Sequence, residues 1–116
     1  MFILFLCTIV SAEEVVEFDE SNWPITTETV VNDIIHRMTD KEKETVKSTK
    51  CEDLIQFHHS WGMSIRNYYG LWRGNHQLIL SACGQPCYPD DASMKIIESV
   101  WLKLQKQTIH PSLDTR

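Results

Sequence analysis

The stretch from Phe57 to Asn75 reads FHHSWGMSIRNYYGLWRGN and holds two of the chain's five His, two of its four Trp and two of its four Arg. Taken as a helix with the residues before it, its first half stacks Leu54, His58, Trp61, Ile65 and Tyr68 along one side, because helical neighbours recur at three and four residues. That stripe faces a core. The opposite side carries Gln56, His59, Ser60, Arg66 and Asn67, with Met63 its one large apolar residue. Gly62 in mid-helix costs about 1 kcal/mol relative to Ala, which points to a close helix crossing. Gly70 suits the left-handed C-cap that ends the helix. The turn that follows, Gly70-Leu71-Trp72-Arg73-Gly74-Asn75, is rich in large side chains, so it packs back on the body.

Working outward, helix signals continue on both sides. Upstream, Thr26 or Thr27 caps a helix whose apolar face is Val30, Val31, Ile34, Ile35 and Met38. Thr39 with Glu42 forms a capping box for a charged surface helix whose large apolar residue is Val46, and Thr49 with Glu52 repeats the box to open the central helix. Downstream, His76 to Cys83 reads as a short helix with Leu78, Ile79 and Leu80, stopped by Gly84. The loop Gly84-Gln85-Pro86-Cys87-Tyr88-Pro89 is made rigid by its prolines. Asp90 or Asp91 then caps a last helix with the face Met94, Ile97, Val100, Trp101 and Leu104. Strand alternation, repeats and low-complexity tracts are missing from this pattern. The expectation is an all-α fold, a compact bundle of four to five short helices over residues 25–107.

Phe2 to Val10 is an almost unbroken apolar run, followed by Val10-Ser11-Ala12 and then Glu13-Glu14, the pattern of a signal peptide cut after Ala12. No Lys or Arg precedes it, the one such feature it lacks. The run falls short of the about 20 residues a membrane-spanning helix takes, so membrane insertion of the mature chain is not expected. Residues 13–24 read as an acidic extended leader, with Phe18 or Trp23 docking on the domain, and residues 108–116 as a frayed tail. The 11 basic against 16 acidic residues give −5 with His neutral. Nucleic acid is a poor partner for such a surface, since phosphate binding needs basic charge.

In an exported chain three Cys remain after cleavage. Cys83 and Cys87 can close a small loop around Gly84-Gln85-Pro86, and pairing of Cys51 with either is equally allowed by counting. A zinc site built on Cys83, Cys87 and His76 or His110 has the ligand types without a recognised spacing, so neither metal nor cofactor is expected.

Trp23-Pro24, Leu54-Ile55-Gln56-Phe57-His58, Gly62-Met63, Ile65-Arg66-Asn67, Gly70-Leu71-Trp72-Arg73-Gly74-Asn75 and Pro89-Asp90-Asp91-Ala92-Ser93 together resemble a bacterial domain family of no assigned function, over roughly Trp23 to Leu104. The resemblance implies a bacterial protein in exported or uncharacterised settings. It carries over no activity, cofactor or catalytic residue.

A candidate site therefore rests on chemistry. Arg66, Asn67, Arg73 and Asn75 are forked donors and amides beside Trp72, and Asp90, Asp91 and Ser93 bring carboxylates and a hydroxyl to a helix start. One reading is a pocket in which the arginines hold a carboxylate or phosphate in the bidentate manner of guanidinium. The other makes Arg66 or Arg73 a tie to Asp90 or Asp91 that pins the turn to the last helix, with Asn67 and Asn75 satisfying the turn's backbone; this reading takes precedence, because a packed turn without strands needs such ties. His58 on the apolar stripe reads as a hydrogen-bonded core residue. Trp61, Trp72 and Trp101 read as core, with a sugar-binding or peptide-binding groove as the alternative use. The function that fits is a binding or interaction module around Arg66 to Asn75, taking an unidentified protein or a small anionic ligand. Its rivals are a small hydrolase using His58 or His59 with Asp90 or Asp91, and a purely structural envelope component.

Overall fold

In the computed structural model the chain is described for residues 21–107. The expected signal peptide, most of the acidic leader, Phe18 and the tail lie outside these residues. Thr26 is the N-cap of α1 (Thr27–Arg37), its hydroxyl accepting from Thr29 N. Four apolar residues spaced by one and three, Val30, Val31, Ile34 and Ile35, are buried along α1, with Met38 just beyond its end. Thr39 opens α2 (Asp40–Lys47) with both bonds of the capping box made to Glu42. Its polar residues face outward and Val46 is fully buried.

The central segment departs from the expected single helix. A 3₁₀ segment, Cys51–Phe57, is followed by a turn through His58, His59 and Ser60, and only then by α3 (Trp61–Tyr68). Thr49 does not cap it. The Thr49 hydroxyl donates back to Thr45 O (2.7 Å), and the Thr49 carbonyl, which an N-cap would offer to its own helix, accepts the Trp101 indole Nε1 (2.7 Å). Lys50 takes the N-cap position of the segment, and the Asp53 N to Lys50 O bond (2.8 Å) starts the tighter i→i+3 winding. The core stripe survives the break: Leu54, Trp61, Ile65 and Tyr68 are all buried.

Gly70, with φ 77°, ends α3 in the left-handed conformation. A 3₁₀ turn, Leu71–Arg73, lies between it and Gly74 (φ 99°). Asn75 then caps α4 (His76–Cys83) by accepting from Leu78 N, and α4 ends at Gly84. The last helix, α5 (Pro89–Gln105), starts at least two residues earlier than a capping Asp would put it. Tyr88 is its N-cap and Pro89 its first residue, where a missing N–H costs nothing; Asp90 and Asp91 make no capping bond and sit in the first turn, on the positive end of the helix dipole.

Helix α5 is the hub. It packs against α1, α2, α3, α4 and both 3₁₀ segments. Ala92, Ser93, Ile96, Ile97, Val100 and Leu104 are its buried face, while Met94 and Trp101 are partly covered. Thr27 N donates to Ser81 Oγ (2.8 Å), tying α1 to α4, and the buried Tyr69 hydroxyl donates to Asp33 Oδ2 (2.6 Å), tying α3 to α1. No strand occurs among the described residues, and no helix among them is long and apolar enough to cross a membrane.

Candidate functional site

The two arginines of the turn region go to different places. Arg66 projects from α3 towards α5 and is only 4% exposed. Gly62 makes the room: a Cβ there would stand 3.0 Å from Arg66 Nη1 and 3.5 Å from Ser93 Oγ. Nη1 donates to Ser93 Oγ (2.9 Å), Nη2 to the His58 carbonyl (3.4 Å), and Nε lies 3.5 Å from Asp90 Oδ1, an ion pair without hydrogen-bond geometry. Ser93 in turn donates to Asp90 O (2.9 Å). The Trp72 ring covers the guanidinium at 5.8 Å. Arg66 is therefore the expected tie to Asp90, running from α3 itself to the start of α5.

Arg73 faces outward. Its Nη2 donates to Asn67 O (2.9 Å), and its guanidinium lies 5.7 Å from the Trp23 ring. Trp23 itself packs flat on Gly70, where a Cβ would fall 2.2 Å from Cε3. Asn75 is buried and fully used: Nδ2 donates to Pro24 O (2.9 Å) and Tyr69 O (2.8 Å), while Oδ1 caps α4. It thereby locks the Trp23-Pro24 segment to the end of α3. Asn67 and Asp91 are exposed, and the Asn67 contribution is its main-chain carbonyl.

His58 does not reach the core. Its Nε2 is 4.0 Å from Asp90 Oδ2, its buried Nδ1 has no hydrogen-bond partner, and the exposed His59 ring sits edge-on to it at 4.9 Å. The Asp90 side chain, 51% exposed, thus stands between Arg66 and His58. The hydroxyl nearest this pair, Ser93 Oγ, is buried and bonded on both sides, which makes it a strut.

On the other side of Trp72 lies an open groove of about 580 Å³. Leu71, Trp72 and Gly74 form one wall, His76, Ile79 and Leu80 of α4 the floor, and Pro86, Cys87 and Pro89 the opposite wall. Trp72 is 55% and Leu80 47% exposed, so the expectation that the whole turn packs inward holds for Leu71 and fails for Trp72. Cys83 and Cys87 are joined in a disulfide, and Cys51 is an exposed free thiol. No cluster of His, Cys, Asp and Glu fit for a metal occurs among the described residues.

The groove was not read from the sequence, although a signal for it existed. Leu78-Ile79-Leu80 places three apolar residues on consecutive helical positions, about 100° apart, so together they span more than half of the circumference of a two-turn helix at the surface of the bundle. Leu80 was bound to be left over.

No curated protein and no solved structure matches the chain. A family model does, over residues 23–104, from the docked Trp23 to the last buried leucine of α5, and the chain belongs to that family, described as Domain of unknown function (DUF6794).

Proposed function

We propose that this domain is a binding module of an exported protein, and that its groove takes a bulky apolar side chain of a peptide segment that also carries a carboxylate. The observation that carries the reading is the apolar groove with Trp72 half exposed on its rim. Large aromatic residues that remain solvent-exposed beside a pocket are the usual anchors of protein interfaces. Charge sets the second requirement. Exposed Arg73 follows Trp72 in the chain and His76 lies in the floor, whereas the Arg66 charge is taken up by Asp90. The partner's carboxylate is assigned to His76, which lines the groove, with the exposed Arg73 next to Trp72 in the chain.

The net charge of −5 argues against nucleic acid, and a disulfide between Cys83 and Cys87 fits an oxidising, exported setting such as the apolar run at residues 2–10 suggests. A hydrolase built on His58 and Asp90 finds less support, because Ser93 is committed to holding α3 on α5. A structural envelope component has no use for the groove.

Selection of random displayed peptides on the purified domain tests the proposal. The expected outcome is a consensus of one aromatic or large aliphatic residue with Asp or Glu within two positions, and binding lost in Leu80→Glu while that variant melts within about 3 °C of the parent, as an exposed site allows. Peptides that bind Leu80→Glu unchanged, or no enrichment at all, refute it.

A further inference from the structure

The wall of the groove formed by Pro86 and Cys87 is attached to the body in an unusual way. Gln85, Pro86 and Cys87 make no backbone hydrogen bond recorded among the described residues; the nearest are Gly84 N to Leu80 O (2.8 Å), which closes α4, and Ala92 N to Tyr88 O (3.0 Å), which opens α5. Pro86 and Pro89 have no N–H to give. What ties this wall to α4 is the disulfide from Cys83, the last residue of α4, to Cys87, across a Cα–Cα distance of 6.4 Å, which keeps both half-buried cysteines packed on the core. The loop between them, Gly84-Gln85-Pro86, is exposed, and both cysteines are partly so, within reach of a dithiol in solution.

We propose that the Cys83–Cys87 disulfide is a redox latch on the groove. The inference rests on the binding reading above and adds its regulation. A dithiol reductant attacks one sulfur as a thiolate, its second thiol resolves the mixed disulfide, and the two electrons and two protons end on Cys83 and Cys87 while the reductant leaves as a disulfide. The helices on either side stay anchored, α4 by Leu78 and Ile79 and α5 by Ala92 and Ser93, and Gly84 and Tyr88 keep their backbone bonds to them, so release frees residues 85–87 alone. Pro86 and Cys87 then leave the groove, and an apolar ligand loses one wall of its site.

The test uses the full chain with Cys7→Ser and Cys51→Ser to prevent thiol exchange, and anilinonaphthalene sulfonate as probe, an apolar ring system with one anionic group. The oxidised chain is expected to bind the probe with a shift of the Trp72 indole N–H resonance. Reduction by dithiothreitol, or Cys83→Ser with Cys87→Ser, is expected to weaken binding at least fivefold while circular dichroism stays native and the Leu78 and Ile79 amide resonances stay put. Affinity that changes less than twofold on reduction overturns the latch and leaves the binding reading standing. Global unfolding on reduction also overturns it. A probe that binds neither form overturns the binding reading, and the latch with it.

Discussion

Replacing Arg66 by Ala separates a structural tie from a binding group. The substitution removes a side chain that is 4% exposed and spans from α3 to the first turn of α5. The two methylenes lost from its buried stem, Cγ and Cδ, count for about 1.6 kcal/mol at about 0.8 kcal/mol each. The Nη1 bond to Ser93 Oγ is a hydrogen bond from a charged donor, worth about 1.5–3 kcal/mol, whereas Asp90 is half exposed, so its ion pair adds at most about 1 kcal/mol. Side-chain entropy returned to the chain offsets about 2 kcal/mol. The net loss is about 2 kcal/mol, smaller than for a fully buried pair because Asp90 is left facing water rather than stranded. For a domain of this size each kcal/mol moves the melting midpoint by about 4–8 °C, so Arg66→Ala is expected to melt at least about 8 °C below the parent by circular dichroism. Arg73→Ala removes an exposed side chain whose bond to Asn67 O and stacking on Trp23 lie at the surface, and it should stay within about 3 °C. An Arg66→Ala midpoint within 3 °C of the parent refutes the account of the α3–α5 tie, as does an Arg73→Ala fall of equal size.

Two further perturbations probe the frame around the site. Gly70→Ala places a methyl 2.2 Å from the Trp23 ring in a left-handed backbone, so Trp23 must lift away; red-shifted tryptophan emission with a lowered midpoint is expected, and an unchanged spectrum counts against the docking of Trp23. The Tyr69 hydroxyl is held well above its ordinary pKa, first by burial and then by Asp33. Since the unfolded chain releases this proton near pH 10 and the folded one retains it, the contribution of Tyr69 is complete below about pH 10 and falls as pH rises beyond it. Tyr69→Phe should therefore melt lower at pH 7 and lose less between pH 9 and 11 than the parent, as read by thermal melts across that range.

The helices that were legible in the sequence are those whose signals are local. Thr26, the Thr39–Glu42 box, Gly70 and Gly84 cap what they appear to cap because each acts within four residues. The second box failed for a tertiary reason: Trp101, 52 positions away, takes the Thr49 carbonyl. That one bond turns a 20-residue helix on paper into a 3₁₀ segment, a turn and α3. No periodicity within the stretch could report it.

The same break explains why Arg66 lies buried rather than on the outer face. Numbered along one unbroken helix, Arg66 shares the outer face with His59 and Asn67. The turn at His58 to Ser60 detaches α3 from that numbering, and α3 is then buried along two adjacent stripes, Trp61-Ile65-Tyr68 and Gly62-Arg66-Tyr69. A glycine sits one turn before the arginine, so the second stripe can take in a guanidinium, provided that something neutralises it; Asp90, placed in the first turn of α5 by Pro89, does so while remaining open to water. Trp72 then rests on the buried arginine and cannot fold further in, which is what leaves its far side as a wall of the groove. The arginine first suspected of binding thus acts one layer beneath, holding up the tryptophan to which the proposed binding falls.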